Sequence, residues 1–288
     1  MNRPANVLCR FPWTTGALAL WTALVFAFLF APVVTAVIYS FNRGVLGKQT
    51  ATFIGFTTGW YSVAWHNDGL RHSVAVSLRV ALLVAVIATI LGTLAALAVA
   101  RSPGRLARGL LELLVYLLLI VPEIVLGVGF LLFYTKLGVG LGTWPLVLGH
   151  TPFTIAVVML VVRARVLAID RATEDAAADL GAGRFRIFWT VILPQLQTAI
   201  IAAAVLAFTF SFDDLVISVF LATPTVTTLP VYLFGSVRFG VTPDVYAVAA
   251  AMLVFTLSML ALVALVYRWQ TRRVGGRLRL TGALAGAR

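Results

Sequence analysis

The chain is poor in cysteine, histidine and charge. Its 288 residues include one cysteine and three histidines, and only 11% of them are charged. The lone Cys9 excludes an internal disulfide and a metal site built on cysteines. His66, His72 and His150 are dispersed and have no metal-ligand spacing. The sequence contains neither a nucleophile placed beside a base nor a Walker-type glycine loop. We therefore expect no enzyme activity and no bound metal or cofactor.

Apolar residues dominate instead. They make up 61% of the chain, and the mean hydropathy of +1.01 is far above that of a soluble domain. Runs of about 20 apolar residues predict membrane-spanning helices. The chain has six such runs, near 16–39, 73–100, 109–133, 146–162, 196–219 and 245–267. We predict an all-α, polytopic membrane protein with six transmembrane helices, whose first run is a retained anchor rather than a signal peptide.

The positions of the basic residues predict the orientation in the membrane. The net charge is +12, from 22 basic and 10 acidic residues. We expect no nucleic-acid partner, because the basic residues are concentrated in every second loop between the predicted spans. If the N-terminus is cytoplasmic, sixteen arginines fall in inside segments and five basic residues fall outside. The inside set is Arg3, Arg10, Arg101, Arg105, Arg108, Arg163, Arg165, Arg171, Arg184, Arg186, Arg268, Arg272, Arg273, Arg277, Arg279 and Arg288. This asymmetry predicts that both ends are cytoplasmic.

The spans divide the chain into four segments. We expect an N-terminal end and anchor at 1–40, an outer loop at 41–72, a five-helix core at 73–267 and a basic tail at 268–288. Trp60, Tyr61 and Trp65 in the outer loop indicate an interfacial belt, a short helix on the outer surface, or contact with an external partner. No internal repeat is visible, which argues against an inverted-repeat carrier.

Glu123 is an acid near the middle of a predicted span. It lies about fourteen residues from the inner end, which corresponds to roughly 20 Å along a helix. An acid at this depth costs about 2.5–3.5 kcal/mol, so it usually faces a cavity or a partner. Pro122 predicts a kink, and Gly127 permits the close approach of another helix.

Two further acids, Asp213 and Asp214, lie toward the outer end of the fifth predicted span. Neighbouring residues on a helix point about 100° apart, so one acid can line a path while the other caps or pairs. Two interpretations remain open. The acids form part of a pathway for a cationic substrate, or they only neutralise Arg79 and Arg238 or lie in the water of the outer headgroup region.

A polar cassette separates the fourth and fifth predicted spans. It reads Glu174-Asp175-Ala176-Ala177-Ala178-Asp179-Leu180-Gly181, followed by Val191-Ile192-Leu193-Pro194. The alanines form a helix with little bulk, and the acids suit its N-terminus. Gly181 and Gly183 break that helix, and Pro194 suits the first turn of the next one. We predict two short helices with a bend that contact a partner in water.

This cassette resembles the cytoplasmic loop of bacterial ABC importer permeases. That loop has the form Glu-Ala-Ala, three residues, Gly, nine residues, Ile-x-Leu-Pro, with Asp175 and Val191 here replacing Glu and Ile. The resemblance implies a type I ABC importer permease fold and an ATP-binding subunit dimer as partner, with ATP and Mg on that partner. It also implies coupling through the loop, by Glu174, Asp175, Ala176, Ala177, Asp179, Gly181, Arg184 and Pro194.

Four further segments resemble spermidine/putrescine-type permeases. They begin at Pro122, Ser211, Thr228 and Gly240. This resemblance implies a polyamine substrate that passes Glu123, Asp213 and Asp214, although the subgroup also includes importers of phosphonates, opines and iron. It further implies a second, paralogous permease subunit, a periplasmic solute-binding protein and a bacterial inner-membrane location. The alternatives are an ion- or proton-coupled carrier, a channel that uses the same acids, or an anchoring subunit.

Overall fold

The computed structural model describes residues 12–45, 52–101, 104–238 and 242–285. Arg3, Cys9, Arg10, Lys48, Pro103, Gly240 and Arg288 lie outside these ranges, as do the side chains of the basic tail. The chain forms two compact units, Met1–Ala64 with Phe239–Met252 and Trp65–Arg238 with Leu253–Arg288.

The described residues form α-helices with one π-helical turn. In chain order the elements are α1 (Pro12–Tyr39), α2 (Gly59–His66), α3 (Asp68–Arg101), α4 (Arg105–Ile120), α5 (Glu123–Lys136), α6 (Thr143–Leu167), α7 (Ala172–Asp179), α8 (Arg184–Ile187), the π-helical turn Phe188–Ile192, α9 (Leu193–Phe212), α10 (Val216–Leu221), α11 (Leu229–Arg238) and α12 (Pro243–Ala285). In this part of the chain, backbone pairing of the β type is limited to two isolated bridges. The all-α prediction is therefore confirmed.

Single helices account for five of the six predicted spans. Five stretches are long and apolar enough to cross a membrane, namely Gly16–Tyr39, Asp68–Arg101, Thr143–Leu167, Arg184–Phe212 and Pro243–Leu262. The remaining predicted span, 109–133, falls on the pair α4 and α5, whose two helices are long and apolar enough for a span only together and are bent by 103°. The predicted boundary of the fifth span needs correction, because α9 ends at Phe212 and not at 219.

Pro122 explains the break between α4 and α5. A proline disfavours helical geometry in the residue before it, and Val121 is accordingly extended, with φ −63° and ψ 127°. Pro122 is itself extended, with ψ 133°, and α5 begins at the next residue, Glu123. The kink predicted at this proline is thus a full change of direction.

Pro194 has a different effect on the helix that contains it. Its ring clashes with the carbonyl group four residues earlier in a regular α-helix. The chain avoids this clash by widening into the π-helical turn just before the proline, and Gln195 Nε2 donates a hydrogen bond to the Val191 carbonyl at 3.0 Å. The predicted second short helix is therefore continuous with the fifth span.

In the first unit, aromatic residues organise the loop after α1. The Phe41 and Phe56 rings stack with centroids 5.2 Å apart, and Trp60 Nε1 donates to the Asn42 carbonyl at 2.9 Å. The Tyr61 hydroxyl lies 2.8 Å from Ser40 Oγ. The short-helix interpretation of this loop corresponds to α2, and Trp60 and Tyr61 stabilise the loop itself.

In the second unit, α3, α6 and α9 pack closely through small residues. A Cβ placed on Gly92 of α3 would lie 2.6 Å from Val158 Cγ1 and 3.0 Å from the Ile155 carbonyl oxygen of α6. Ala88, Ala96 and Ala156 are fully buried. Close backbone approach through small residues is how helices gain van der Waals contact where lipid supplies no hydrophobic driving force.

Candidate functional site

Helix α10, which follows the break after α9, packs against α6 and against α5, which follows the break after α4. A Cβ on Gly127 of α5 would lie 2.6 Å from Phe220 Cδ2, and one on Gly149 of α6 would lie 2.5 Å from Leu221 Cδ1. Both glycines therefore let α10 approach α5 and α6, which confirms the close contact predicted at Gly127. The packing brings the start of α5 close to the break between α9 and α10.

A small cavity lies where these elements meet. It is lined by Glu123, His150, Phe153, Thr154, Phe210, Ser211, Asp214 and Ile217. The Phe153 and Phe210 rings are in edge contact, with centroids 5.7 Å apart. The cavity thus combines two carboxylates from different helix breaks with aromatic rings.

Glu123 and Asp214 line this cavity, whereas Asp213 does not. Asp213 is the C-cap residue of α9, its backbone N–H donates to the Thr209 carbonyl at 3.0 Å, and its side chain is exposed. Asp214 has only 10% of its side chain exposed. The two neighbouring acids therefore have different surroundings, as their spacing suggested, although a helix break rather than a continuous helix separates them.

The partner of Asp214 is a histidine. His150 Nε2 lies 3.3 Å from Asp214 Oδ1, and the Ser218 backbone N–H donates to the same oxygen at 2.9 Å. Arg79 is exposed and, among the described side chains, forms no ion pair with Asp213 or Asp214. The interpretation that Arg79 neutralises these acids is wrong for this structure, and the side chain of Arg238 lies outside what it describes.

Sequence reasoning missed His150, because it considered histidines only as metal ligands. Its ring is buried and bridges two serines, with Nδ1 2.9 Å from Ser211 Oγ and Nε2 3.1 Å from Ser218 Oγ. A signal was available, because an ionisable residue within a predicted span is a candidate functional residue by its position alone.

The cassette forms a bent surface loop. The Ala172 backbone N–H donates to Asp170 Oδ1 at 3.0 Å at the start of α7. At the other end Gly181 has φ +81°, and the backbone N–H groups of Gly181 and Ala182 donate to the carbonyls of Ala178 and Ala177. This pair of bonds is a Schellman motif, which explains why the helix ends at a glycine.

Most of the predicted coupling residues are on the surface of this loop. Asp175, Ala176, Asp179, Gly181, Arg184 and Pro194 are exposed, Ala177 is partly buried, and Glu174 is partly buried beside Arg101. Large apolar side chains also face solvent here, including Leu180, Phe185 and Trp189 at 90%, 78% and 53% exposure. The loop thus presents an apolar surface with small residues and acids around it.

Ion pairs and hydrogen bonds attach this loop to the spans. Arg101 Nη2 at the end of α3 donates to Glu174 Oε1 in α7, and Arg171 Nη2 donates to the Ala100 carbonyl at 3.3 Å. Arg165 Nε donates to the Gln195 carbonyl at 3.1 Å. Movement of α7 would therefore act directly on α3.

A second ion-pair group joins α4 to α6. Glu112 Oε1 accepts from Arg108 Nε at 3.1 Å, the pair that the sequence spacing suggested, and also from Arg163 Nη2 at 2.7 Å.

Comparisons with known proteins agree with this architecture. Residues 88–276 match the family described as "Binding-protein-dependent transport system inner membrane component". The putrescine transport system permease protein PotI of Escherichia coli K12 is 37% identical over 251 residues, covering 85% of this chain and 86% of PotI. The spermidine/putrescine transport system permease protein PotC of Shigella flexneri is 34% identical over 252 residues, covering 88% of this chain and 94% of PotC.

Solved structures show the same fold at lower identity. A chain in the crystal structure of a bacterial ABC transporter involved in alginate import superposes with a TM-score of 0.70 at 15% identity, over 90% of this chain and 96% of that chain. A chain of an amino acid ABC transporter crystallised with histidines gives 0.57 at 20% identity, over 74% and 99%. The predicted importer permease fold is confirmed, and the comparisons favour a permease subunit over a channel or a secondary carrier. The chain belongs to the family of binding-protein-dependent transport system inner membrane components.

Proposed function

We propose that this chain forms part of the membrane path of an ABC importer for a polyamine. The observation that carries the proposal is the placement of Glu123 and Asp214, from two separate helix breaks, on one cavity inside the membrane-spanning core. The names of relatives at 34–37% identity support the substrate class, since they transport putrescine or spermidine.

The chemistry of the cavity suits a flexible organic cation. Carboxylates in a region of low dielectric attract ammonium groups strongly, and a path needs this attraction to be weak enough for release. Putrescine carries an ammonium group at each end of an apolar methylene chain. Phe153 and Phe210 offer rings for the methylene groups and for cation–π contact, beside the two acids. Asp213 serves the same path from the exposed face of the break, outside the cavity.

Uptake of labelled putrescine by the complete transporter tests the substrate proposal. The charge-removing variants Glu123→Gln and Asp214→Asn should each raise the KM for putrescine by about tenfold or more. Each variant removes a carboxylate partner of an ammonium group buried in the cavity. Asp213→Asn should have a smaller effect, since this acid lies outside the cavity. Asp68→Asn is the charge-matched control, because the side chain of Asp68 is 98% exposed. Native kinetics in both cavity variants would remove the proposal.

The loop at 168–194 is, in this proposal, the contact with an ATP-binding subunit dimer. ATP and Mg are bound by that dimer, and this chain binds no cofactor. The exposed Leu180, Phe185 and Trp189 supply an apolar surface to be covered, with Asp175 and Asp179 close to it. The other partners are a second, paralogous permease subunit and a periplasmic solute-binding protein. Both ends of the chain are cytoplasmic, which agrees with the distribution of arginine.

Two neighbouring glycines give a matched test of this docking role. Gly181 has φ +81°, a conformation that costs an L-residue about 1–2 kcal/mol, whereas Gly183 has φ −68°. Neither glycine has an atom within 4 Å of an added Cβ, so steric overlap does not confuse the comparison. Gly181→Ala should weaken recovery of the ATP-binding subunit on this chain by about 5- to 30-fold, and Gly183→Ala should leave it unchanged. Equal recovery with both variants would count against docking through this loop.

A further inference from the structure

We propose that His150 is a positioning residue that holds the Asp214 carboxylate at the cavity for a cationic substrate. The inference rests on the proposed function, since it concerns how one acid of the path is kept in place. His150 belongs to α6, whereas Asp214 belongs to the irregular segment between α9 and α10. The ring therefore acts from a regular helix on a residue that has no helix of its own.

The contacts of the ring span the whole break. Its Nδ1 lies 2.9 Å from Ser211 Oγ in the last turn of α9, and its Nε2 lies 3.1 Å from Ser218 Oγ in α10. Between these two serines, Asp214 Oδ1 lies 3.3 Å from Nε2. Only 2% of the histidine side chain is exposed, so the ring contacts these three groups away from solvent.

The backbone around the ring leaves it little freedom. At Gly149, the preceding residue, an added Cβ would lie 2.5 Å from Leu221 Cδ1 of α10, and Thr154 Oγ1 donates to the His150 carbonyl at 2.6 Å. The Ser218 backbone N–H fixes the same Oδ1 atom of Asp214 from the other side, at 2.9 Å. The carboxylate is thus held by one group from α6 and one from α10, and it faces Glu123 of α5 across the cavity.

An Asp in a helix break without such support would sample several rotamers, and a substrate would have to order it. Hydrogen bonds to a charged group contribute about 1.5–3 kcal/mol, which corresponds to about 10- to 100-fold in apparent affinity. We expect the contribution of His150 to appear in the KM for putrescine and not in the maximal rate, because the ring acts through Asp214 and does not line the coupling loop.

Two amide substitutions of His150 distinguish the contribution of Nδ1 from that of Nε2. Asn places its amide near the position of Nδ1 and keeps the Ser211 contact, whereas Gln reaches the position of Nε2 and keeps the contacts with Asp214 and Ser218. In the complete transporter, His150→Asn should raise the KM for putrescine about 10- to 100-fold, and His150→Gln should stay within about threefold of native. The amount of chain in the membrane and the recovery of its partner subunits serve as folding controls.

The same substitutions in an Asp214→Asn background form a double-mutant cycle. If His150 acts through Asp214, neither substitution should change the KM further in that background, because coupled residues are not additive. An equal factor in both backgrounds, or equal effects of Asn and Gln, would overturn the inference while leaving the proposed function intact. A native KM for Asp214→Asn would also overturn the inference, because His150 would then hold a carboxylate that the substrate does not need, and native KM values for both Asp214→Asn and Glu123→Gln would overturn the proposed function. A normal KM for His150→Asn, with Asp214→Asn impaired, would refute the role of His150 alone.

Discussion

The ion pair between Arg101 and Glu174 gives a quantitative prediction about how force reaches the membrane helices. It joins α7, in the loop between α6 and α9, to the end of α3, and the two side chains are only 21% and 20% exposed. Fully buried pairs lose about 3–5 kcal/mol when one partner is removed, and exposed pairs contribute about 1 kcal/mol or less. For a pair with this exposure we expect removal of one partner to cost about 2 kcal/mol. This cost corresponds to a roughly 30-fold shift of the equilibrium toward a state in which α7 is detached from α3.

The perturbation is a charge reversal at each end of the pair. Arg101→Glu and Glu174→Arg should each reduce putrescine uptake by about tenfold or more, while ATP hydrolysis by the assembled transporter stays within about twofold of native. The double variant restores opposite charges at the same two positions and should recover most of the uptake. Arg105→Glu is the matched control, because Arg105 is a neighbouring exposed arginine for which the described residues show no ion pair.

The measurement is uptake and ATPase activity on the same membrane preparation. Uptake that falls without a fall in ATPase activity would indicate that hydrolysis is no longer transmitted through α7. A double variant as inactive as either single variant would refute transmission through this ion pair. A parallel loss of ATPase activity, caused by loss of the ATP-binding subunit, would refute it as well.

Three further predictions concern packing and the loop. Gly92→Ala should force α3 and α6 apart, because the added Cβ would lie 2.6 Å from Val158 Cγ1. We expect about 1–3 kcal/mol of destabilisation, measured as a lower melting temperature of the purified transporter. An unchanged melting temperature would contradict this packing. Gly127→Ala should impair uptake through Phe220, 2.6 Å from the added Cβ, whereas Gly129→Ala on the same helix meets open space and should be native; equal effects would refute the contact. Leu180→Glu should abolish recovery of the ATP-binding subunit, since Leu180 is 90% exposed on the loop, and normal recovery would remove this residue from the interface.

Much of the helical fold follows from the sequence because lipid imposes strong rules. A stretch of about 20 apolar residues must be helical to satisfy its backbone, so the spans could be placed from composition alone. The alanine run and Gly181 likewise predict the short helix α7 and its end, because both depend on local backbone preferences.

The breaks and the site contacts were harder to predict. Hydropathy averaged over a window of residues hides a short interruption. The sequence pattern therefore predicts a continuous helix through the residues between Phe212 and Val216, which are irregular in the structure. The 103° bend at Pro122 was reduced to a kink, since a proline alone does not set how far the chain turns. The partner of Asp214 and the partner of Glu174 are each more than 60 residues away along the chain. Only the tertiary contact of α6 with the segment between α9 and α10, and of α3 with α7, brings them together.

Coupling to an ATP-binding subunit requires the loop between α6 and α9 to face the cytoplasm, where the force of ATP hydrolysis would reach it. A Leu180→Cys variant in a Cys9→Ser background carries a single thiol at a residue that is 90% exposed in the turn after α7. We expect a membrane-impermeant maleimide to label this thiol in inverted vesicles and not in intact cells, and the bound ATP-binding subunit to protect it. A Trp65→Cys variant should show the opposite sidedness. Labelling of Leu180→Cys from outside intact cells would contradict the account.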